Sequence, residues 1–328
     1  MPRPIAFLRP ALLGIFVLLA AVPAAGAANS IPNGQLCDRE CLYGFLDQYL
    51  DALNDKDPFR LPWADDARFS ENNVMLMVGD GVWNTVTKVG TDFKLRFADP
   101  EQGTVGYFGE VDESGVVSPF ALWMEVRNGK ITKVETQVRR AADEALAALI
   151  PKGEMTEKPV LNEVMPPKDR LTRERLIALA DGYFDTLQQN NGQLFTEFAD
   201  DCERVENGLK TTHNDQIKAI PVARLGCAEQ FKLGNFIYDD RLRGRRYPVV
   251  DVERGLVLAA GFIDHSGRIG EYTLTDGTKM VSPIRRPHSF YLLELFKMNK
   301  KGQIQQIESI FMTVPYHMPS PWEANDTP

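Results

Sequence analysis

The sequence lacks the short motifs by which the commonest cofactors and nucleophiles are recognised. No G-x-G-x-x-G segment opens a helix, no Walker A loop is present and no G-x-S-x-G elbow occurs. Nucleotide cofactors and serine-hydrolase chemistry are therefore not expected. The chain has only four histidines, and none has the spacing of a helical metal pair such as H-E-x-x-H. We expect neither a cofactor nor a bound metal ion.

Basic side chains are also fewer than acidic ones. The chain carries 45 acidic and 37 basic side chains, which gives a formal net charge of −8. An acidic protein repels phosphate backbones and anionic lipid headgroups. The composition therefore argues against a nucleic-acid partner and against an anionic membrane surface.

Long apolar runs are missing beyond the first residues of the chain. Arg3 and Arg9 flank the start of an apolar run at 11–22, and Ala25-Gly26-Ala27 has the small-x-small pattern of a signal peptidase site. This arrangement predicts a signal peptide at 1–27 and a periplasmic or secreted protein. The alternative is a membrane anchor, which needs an apolar span of about 20 residues. Because the run is shorter than that, we expect no stable membrane anchor.

Cysteine is scarce, but its count is even. The four residues are Cys37, Cys41, Cys202 and Cys227. An even set in an exported chain is typical of disulfides. Three pairings are open, and proximity in sequence alone favours Cys37–Cys41 and Cys202–Cys227, one in each half. A zinc site is the alternative, and the spacings lack the paired C-x-x-C pattern that such sites use.

What the sequence does contain is an internal repeat of four blocks in the same order. The offset between matching blocks grows along the chain, which indicates a duplicated domain with longer loops in the second copy. We expect domains at 28–150 and 170–328, joined by a proline-rich linker at 151–169. The matching blocks are DQYLDAL at 47–53 with DGYFDTL at 181–187, the Ala-Asp-Asp and Glu-Asn segments 64–73 with 199–208, DPEQGTV at 99–105 with DVERGLV at 251–257, and 130–135 with 303–308.

Each copy begins with helical spacing and continues with strand-like alternation. Apolar residues recur at helical intervals in 42–53 and 176–187. Thr172 is a candidate N-cap for the second of these helices. A helix followed by antiparallel strands is an α+β unit whose helix covers one face of the sheet. The alternating positions are Phe120, Leu122, Met124 and Val126 in the first copy, and Phe290, Leu292, Glu294 and Phe296 in the second.

The Glu-Asn and Asp-x-Glu-x-Gly blocks, together with the stretch VPYHMPSPW at 314–322, resemble a tandem-domain group of secreted proteins in the nuclear transport factor 2-like, SnoaL-like superfamily. The resemblance covers nearly all of the chain after the predicted leader. It implies two cone-shaped domains, each an N-terminal helix with a curved antiparallel sheet, packed as an intramolecular pseudo-dimer. It also implies an apolar pocket for a small apolar or aromatic molecule. The superfamily contains both enzymes and binding modules, so the fold does not settle the function.

The candidate catalytic residues lie in the second copy, which holds all four histidines. His288 precedes an apolar strand and could face the mouth of the cone, or it could be a loop histidine bonded to a backbone carbonyl. Tyr183, on the inner face of the helix, and Tyr316 could polarise a substrate oxygen. Asp251 could be a pocket carboxylate with a pKa raised by burial. Its recurrence as Asp99 in the first copy also fits a structural role.

The candidate substrate-binding residues are Arg243, His317 and Trp322. Arg243 could hold an anionic group, although pairing with a neighbouring carboxylate is the simpler explanation. His317 and Trp322 lie in a C-terminal stretch that could fold over the pocket. His213 and His265 lie in polar stretches, which favours a position at the surface.

The Glu-Asn pairs at 71–72 and 206–207 recur in both copies. Because catalysis does not need both copies, recurrence after duplication indicates a structural role. We expect these side chains to bind backbone groups at a turn or sheet edge.

Two hypotheses about function follow. The first is an exported, cofactor-free enzyme, a lyase, dehydratase or isomerase, that uses general acid/base chemistry in the pocket of the second domain. The second is a non-catalytic small-ligand-binding or scaffold protein of the cell envelope. A closed cavity with His288 and a carboxylate or phenol within hydrogen-bond reach would favour the enzyme. A third idea, a hydrolase, needs a carboxylate deep in the cone.

Overall fold

The structure, a computed structural model, shows two units that each combine a long helix with a curved sheet, which confirms the predicted α+β class. The predicted signal peptide at 1–27 and the first part of the predicted linker, 151–154, lie outside the described residues. Within the described residues, no helix has the length and apolar character needed to cross a membrane. The described residues are 37–90, 93–140, 155–217 and 221–322.

The first unit, which we call cone 1, is built around α1. This helix spans Arg39–Asp55 and begins at the N-cap Asp38, whose carboxylate accepts a hydrogen bond from the backbone of Cys41. The following elements are β1 (Trp63–Glu71), β2 (Val74–Leu76), α2 (Val82–Thr85), β3 (Lys88–Val89), β4 (Leu95–Asp99), β5 (Thr104–Glu113), β6 (Val116–Arg127) and β7 (Lys130–Val138). The sheet has the order β2-β1-β7-β6-β5-β3, and β4 also pairs with β5.

The second unit, cone 2, repeats this plan after a short linker helix, α3 (Pro159–Asn162). Its long helix α4 spans Arg173–Gln189, and the hydroxyl of Thr172 accepts a hydrogen bond from the backbone of Arg175, which confirms the predicted N-cap. The following elements are β8 (Phe198–Glu206), β9 (Leu209–Lys210), α5 (Cys227–Lys232), β10 (Arg241–Asp251), β11 (Leu256–His265), β12 (Glu271–Thr273), β13 (Lys279–Val281), β14 (His288–Met298) and β15 (Ile304–Val314). The main sheet has the order β10-β11-β14-β15-β8-β9, and β12 pairs with β13 in a separate hairpin.

The sheets differ from the predicted antiparallel arrangement in one pairing each. In cone 1, β1 runs parallel to β7, and in cone 2, β8 runs parallel to β15. Alternating apolar positions identify a segment as a strand but do not say which remote strand lies beside it. The sequence pattern therefore could not predict that the first strand of each cone pairs with the last.

Both predicted disulfides are present. Cys37 is bonded to Cys41 at the start of α1, with the two Cα atoms 5.4 Å apart. Cys202 in β8 is bonded to Cys227 at the start of α5, with the Cα atoms 5.8 Å apart. Two disulfides are typical of an oxidising compartment.

The outer faces of the two sheets pack against each other. Phe97, Phe108 and Ala121 of cone 1 form one buried cluster with Leu258 and Leu293 of cone 2. Large apolar side chains on both outer faces explain why two copies in one chain stay together, because each face would otherwise be exposed to water. The linker contributes to the same cluster through the buried side chains of Met155 and Leu161.

Asp251 lies in this interface rather than in a pocket. Its side chain is fully buried and receives two hydrogen bonds, 2.6 and 2.8 Å long, from the guanidinium of Arg39 at the start of α1. It also accepts a hydrogen bond of 3.2 Å from the backbone N–H of Ala98 in β4. Asp251 therefore joins cone 2 to cone 1 as a structural ion pair, and its position gives no support to the catalytic role expected above.

Asp99, the counterpart of Asp251 in the repeat, makes the reciprocal contacts. It accepts a hydrogen bond of 3.0 Å from the backbone N–H of Val250 and pairs at 2.7 Å with Arg173 at the start of α4. Each cone thus presents a buried aspartate to the first turn of the other cone's long helix. This exchange gives the interface an approximate two-fold symmetry.

Candidate functional site

Cone 2 encloses a cavity of about 350 Å³ between α4, the inner face of the sheet and the β12–β13 hairpin. The walls are mostly apolar, with contributions from Leu187, Ile263, Phe290, Leu292 and Phe311. A mostly apolar concavity of this size, with a few polar groups converging on it, is typical of small-molecule sites. The geometry matches the pocket that the superfamily resemblance implies.

The two copies differ at two matching positions in neighbouring strands of the sheet. The strand register places Ala259 opposite Glu294 in cone 2, where cone 1 has Tyr107 opposite Leu122. The ring of Tyr107 is buried in the core of cone 1, whereas cone 2 has only the methyl group of Ala259 at the matching position. Cone 2 therefore has an alanine and a glutamate at the positions where cone 1 has a tyrosine and a leucine.

A carboxyl and a phenol meet inside the cavity. Glu294 in β14 is 3% exposed, and its burial, reinforced by the charge of Glu206, raises its pKa to about 8. The phenol of Tyr183 in α4 lies beside both Glu294 and the guanidinium of Arg204. Burial also raises the pKa of Tyr183, so its phenol stays protonated. At neutral pH the cavity thus contains a largely protonated carboxyl beside a neutral phenol.

Arg204 supplies a fixed positive charge in the same wall. Its Nε donates to the hydroxyl of Thr211 at 3.1 Å, and its Nη2 donates to the side-chain oxygen of Gln230 at 2.6 Å. Its nearest carboxylate is Glu206 at 3.6 Å, and its guanidinium lies over the ring of Phe236. These contacts hold the cation in one orientation, so it can act as a preorganised electrostatic group.

An aspartate–histidine pair forms a second polar group on the cavity wall. Nε2 of His265 lies 2.9 Å from Oδ1 of Asp239, and both side chains are buried. With the proton on Nε2, the buried Nδ1, which has no hydrogen-bond partner among the described residues, is left as an acceptor. The prediction of a surface position for His265 is wrong. Its side chain is buried, and it is the last residue of β11 on the side of the strand that faces the cavity.

His288 stands behind this pair rather than in the cavity wall. Its ring stacks on that of His265 with a centroid distance of 4.7 Å, and its Nδ1 lies 2.9 Å from the carbonyl oxygen of Arg286. Desolvation lowers the pKa of His288, so the ring is neutral at pH 7. The structure therefore shows the carbonyl-bonded arrangement that the sequence left open as the alternative to a site at the cone mouth.

The predicted residues Arg243, Tyr316 and His317 gather around Asp264, outside the cavity lining. Nε of Arg243 donates to Asp264 at 2.9 Å, and Nε2 of His317 lies 3.6 Å from the same carboxylate. The ring of Tyr316 stacks on His317 at 3.9 Å. Trp322 lies still farther away, against cone 1. Of the residues proposed from sequence for catalysis, the structure brings Tyr183 to the cavity.

The carboxylates that line the cavity were missed, although the sequence carried a signal for one of them. Glu294 stands in an alternating row with Phe290, Leu292 and Phe296, and an ionisable residue on an inward-facing row is a candidate site residue. Glu206, one of the recurring Glu-Asn residues, lines the cavity and lies 3.6 Å from Nε of Arg204. For Asn207 the structural role is confirmed, because its side chain accepts the backbone N–H of Phe311 at 3.0 Å.

Comparison with solved structures finds proteins that are similar to parts of this chain. An NTF2-like protein of unknown function from Cytophaga hutchinsonii is 13% identical with a TM-score of 0.24, over 30% of this chain and 89% of that one. The designed NTF2 fold protein NT-9 is 20% identical with a TM-score of 0.22, over 33% and 92%. A designed protein with a curved β-sheet is 20% identical with a TM-score of 0.27, over 34% and 94%.

The sequence comparisons bear on family rather than activity. No curated protein sequence matches the chain. Among the described residues, no group of three or more His, Cys, Asp or Glu side chains is placed to hold a metal ion. A family profile matches residues 35–138 and 169–311, one segment in each cone. The chain belongs to the family DUF8021, which is described as a domain of unknown function.

Proposed function

We propose that the chain is an exported enzyme whose cone 2 cavity moves a proton to and from carbon in a small apolar or aromatic molecule. The observation that carries this proposal is the buried carboxyl of Glu294, with a pKa near 8 in a mostly apolar cavity. A carboxyl in that range exchanges protons in both directions near neutral pH, which a surface carboxylate does poorly.

Tyr183 and Arg204 would stabilise the charge that forms on the substrate. When the Glu294 carboxylate removes a proton from carbon next to a carbonyl group, the C–H electron pair moves towards the carbonyl oxygen. The protonated phenol of Tyr183 and the cation of Arg204 are suited to hold that oxygen. Return of the proton to a different carbon makes the enzyme an isomerase, and departure of a group from the neighbouring carbon makes it a lyase or dehydratase.

His265 and Asp239 would orient a second polar group of the substrate. His265 lies six residues along β11 from Ala259, the residue opposite Glu294. This pair is therefore set apart from Glu294 along the cavity, and a ligand that reaches both needs a polar atom at each end. Between them the aromatic walls of Phe290 and Phe311 favour an apolar or aromatic body.

The location and the cofactor requirement follow from the same residues. The predicted leader and the two disulfides support a periplasmic or secreted protein. The proton transfer uses only side chains of the chain itself, so the proposed reaction needs no cofactor.

Deuterium exchange into a panel of aromatic ketones, beginning with 2-tetralone, tests this proposal. Because the ionised carboxylate is the active form, kcat/KM for exchange should rise about tenfold per pH unit below pH 8 and level off above it. Glu294→Gln should reduce the rate at pH 8 at least about tenfold. Proton NMR in D₂O measures the loss of the carbon-bound signal, and the exposed Glu174→Gln is the matched control.

Two outcomes would redirect the assignment. Exchange that survives Glu294→Gln but not His288→Ala would return the role of base to the histidine. Binding of the ketones in the cavity without any exchange would favour the second candidate function, small-ligand binding without turnover. The observation that favours this alternative is that two nitrogens of Arg204 already donate hydrogen bonds to Thr211 and Gln230.

A further inference from the structure

A second depression, which we call the inter-cone groove, opens where the outer faces of the two sheets meet and has a volume of about 360 Å³. It is separate from the cavity of cone 2 and shares no lining residue with it. In a chain of net charge −8 its lining is strongly basic. The charged lining residues are Arg68, Arg127, Lys133, Arg173 and Arg246, with Glu125 the acidic one.

The approximate two-fold symmetry gives the groove a twin, and the linker fills that twin. By strand register, Glu125 opposite Thr104 in cone 1 corresponds to Lys297 opposite Leu256 in cone 2. Nζ of Lys297 donates to the backbone carbonyl of Glu163 in the linker at 3.1 Å. One groove of the pair is thus occupied by the chain itself, whereas among the described residues the basic groove beside Glu125 stays open.

The cations of the groove exceed the carboxylates that could neutralise them. Glu125 is shared by Arg127 at 3.2 Å and Lys133 at 3.4 Å, which leaves one positive charge over. Arg68 pairs with no carboxylate among the described residues, and its guanidinium lies over the indole of Trp322 at 4.7 Å. The groove therefore has a net attraction for an anion.

Two further guanidinium groups are fixed in place with one donor unused. Arg173 binds Asp99 at 2.7 Å, and Arg246 binds Glu135 at 3.1 Å. Nη1 of Arg173 and Nε of Arg246 are buried and have no hydrogen-bond partner among the described residues. For Nη1 of Arg173, the carboxylate of Glu101 at 4.0 Å is beyond hydrogen-bond distance. Both guanidinium groups also line the groove, so each adds positive charge to the surface that an anion would meet.

An aromatic surface adjoins these cations. The half-buried indole of Trp322 packs on Trp123 with a centroid distance of 5.6 Å, and its N–H donates to the hydroxyl of Ser70 at 3.1 Å. These contacts hold the indole of Trp322 in one orientation. The two indoles therefore give the groove an aromatic border against which a ring can pack.

We propose that the inter-cone groove binds a carboxylate carried on a ring, with the ring against Trp322 and the carboxylate among Arg68, Arg173 and Arg246. Aromatic acids and uronic acids share this chemistry. Arginine is suited to the planar carboxylate because its N–H groups match the two oxygens. The groove is a binding site additional to the cavity of cone 2, and the argument does not depend on the function proposed for that cavity.

Isothermal titration with benzoate and with galacturonate tests the proposal and separates the two sources of the ligand. At least one of the acids should bind, and Arg68→Gln and Trp322→Ala should each weaken that binding at least about fivefold. Benzamide, which keeps the ring and loses the charge, should bind at least about fivefold more weakly than benzoate. Glu294→Gln should leave the titration unchanged, because Glu294 lies in the other cavity.

Lys88→Gln is the charge-matched control, since it removes an exposed cation from cone 1 away from the groove. Thermal melts of all variants verify that they fold. The proposal is overturned if neither acid binds, if Arg68→Gln has no more effect than Lys88→Gln, or if benzamide binds as well as benzoate. Binding of an oligoglutamate peptide by a protein that ignores both ring acids would also overturn it, in favour of an acidic peptide ligand.

Discussion

Replacement of Asp251 by alanine is expected to lower the free energy of unfolding by about 3 to 5 kcal/mol, because it leaves a buried ion pair without one partner. Arg39 would lose two short hydrogen bonds, and the N–H of Ala98 would lose its acceptor inside the interface. Urea denaturation at pH 7 measures the change. Asp99→Ala should have a similar effect, because the reciprocal contacts with Arg173 and Val250 are of the same kind.

Asp47→Ala provides the matched control for this prediction. Asp47 pairs with Arg96 at 3.1 Å, but both side chains are about half exposed, so the pair is screened by water. Its removal should cost less than about 1 kcal/mol. If Asp251→Ala cost no more than Asp47→Ala, the interface would not depend on the exchanged aspartates.

The pH dependence of stability is expected to reveal Glu294. Its pKa is about 8 in the folded protein against 4.5 for an ordinary glutamate, so the folded state binds more protons than the unfolded state between these values. The stability contributed by this difference is complete below pH 4.5 and is lost as the pH rises towards 8. Between pH 5 and pH 8.5 the loss attributable to Glu294 should amount to about 4 kcal/mol.

The comparison of Glu294→Gln with the unmodified protein isolates this effect. Glu308 has a similarly raised pKa, whereas the lowered pKa values of His288 and Lys297 act in the opposite direction, so the total slope mixes several groups. The other groups are common to both proteins and cancel in the difference. The difference between the urea midpoints of the two proteins should therefore shift in favour of Glu294→Gln as the pH rises from 5 through 6.5 to 8.5, because only the unmodified protein has to ionise the buried carboxyl. A constant difference across that range would contradict the raised pKa.

The fold could be predicted from the sequence to the extent that it depends on local patterns. Thr172 caps α4 as predicted, because a hydroxyl before a helical run satisfies a free backbone N–H. The duplicated blocks located both cones, since the same spacing must build the same elements. The reciprocal pairing of Asp99 and Asp251 was not predictable, because repeated residues do not reveal that each one contacts the other copy.

The site was harder to predict for a physical reason. Its key groups come from segments far apart in sequence, and only the closed sheet brings Tyr183, Arg204 and Glu294 together. The location of all four histidines in the second copy made His288 a candidate base. The neighbouring strand, however, places His265 between His288 and the cavity. The most informative signal was the acidic residue in the apolar row of β14, which stands out only when the row is read as an inward face.

The parallel pairing of first and last strands sets the order in which each cone can be completed. β1 cannot complete its pairing until β7 is in place. Arg39 pairs with Asp251, which lies 212 residues further along the chain. Contacts between such remote segments form slowly, because closing a long loop costs chain entropy before any contact is made. Refolding of the whole chain should thus be slow, and amide protection at the beginning of α1 should be among the last to develop.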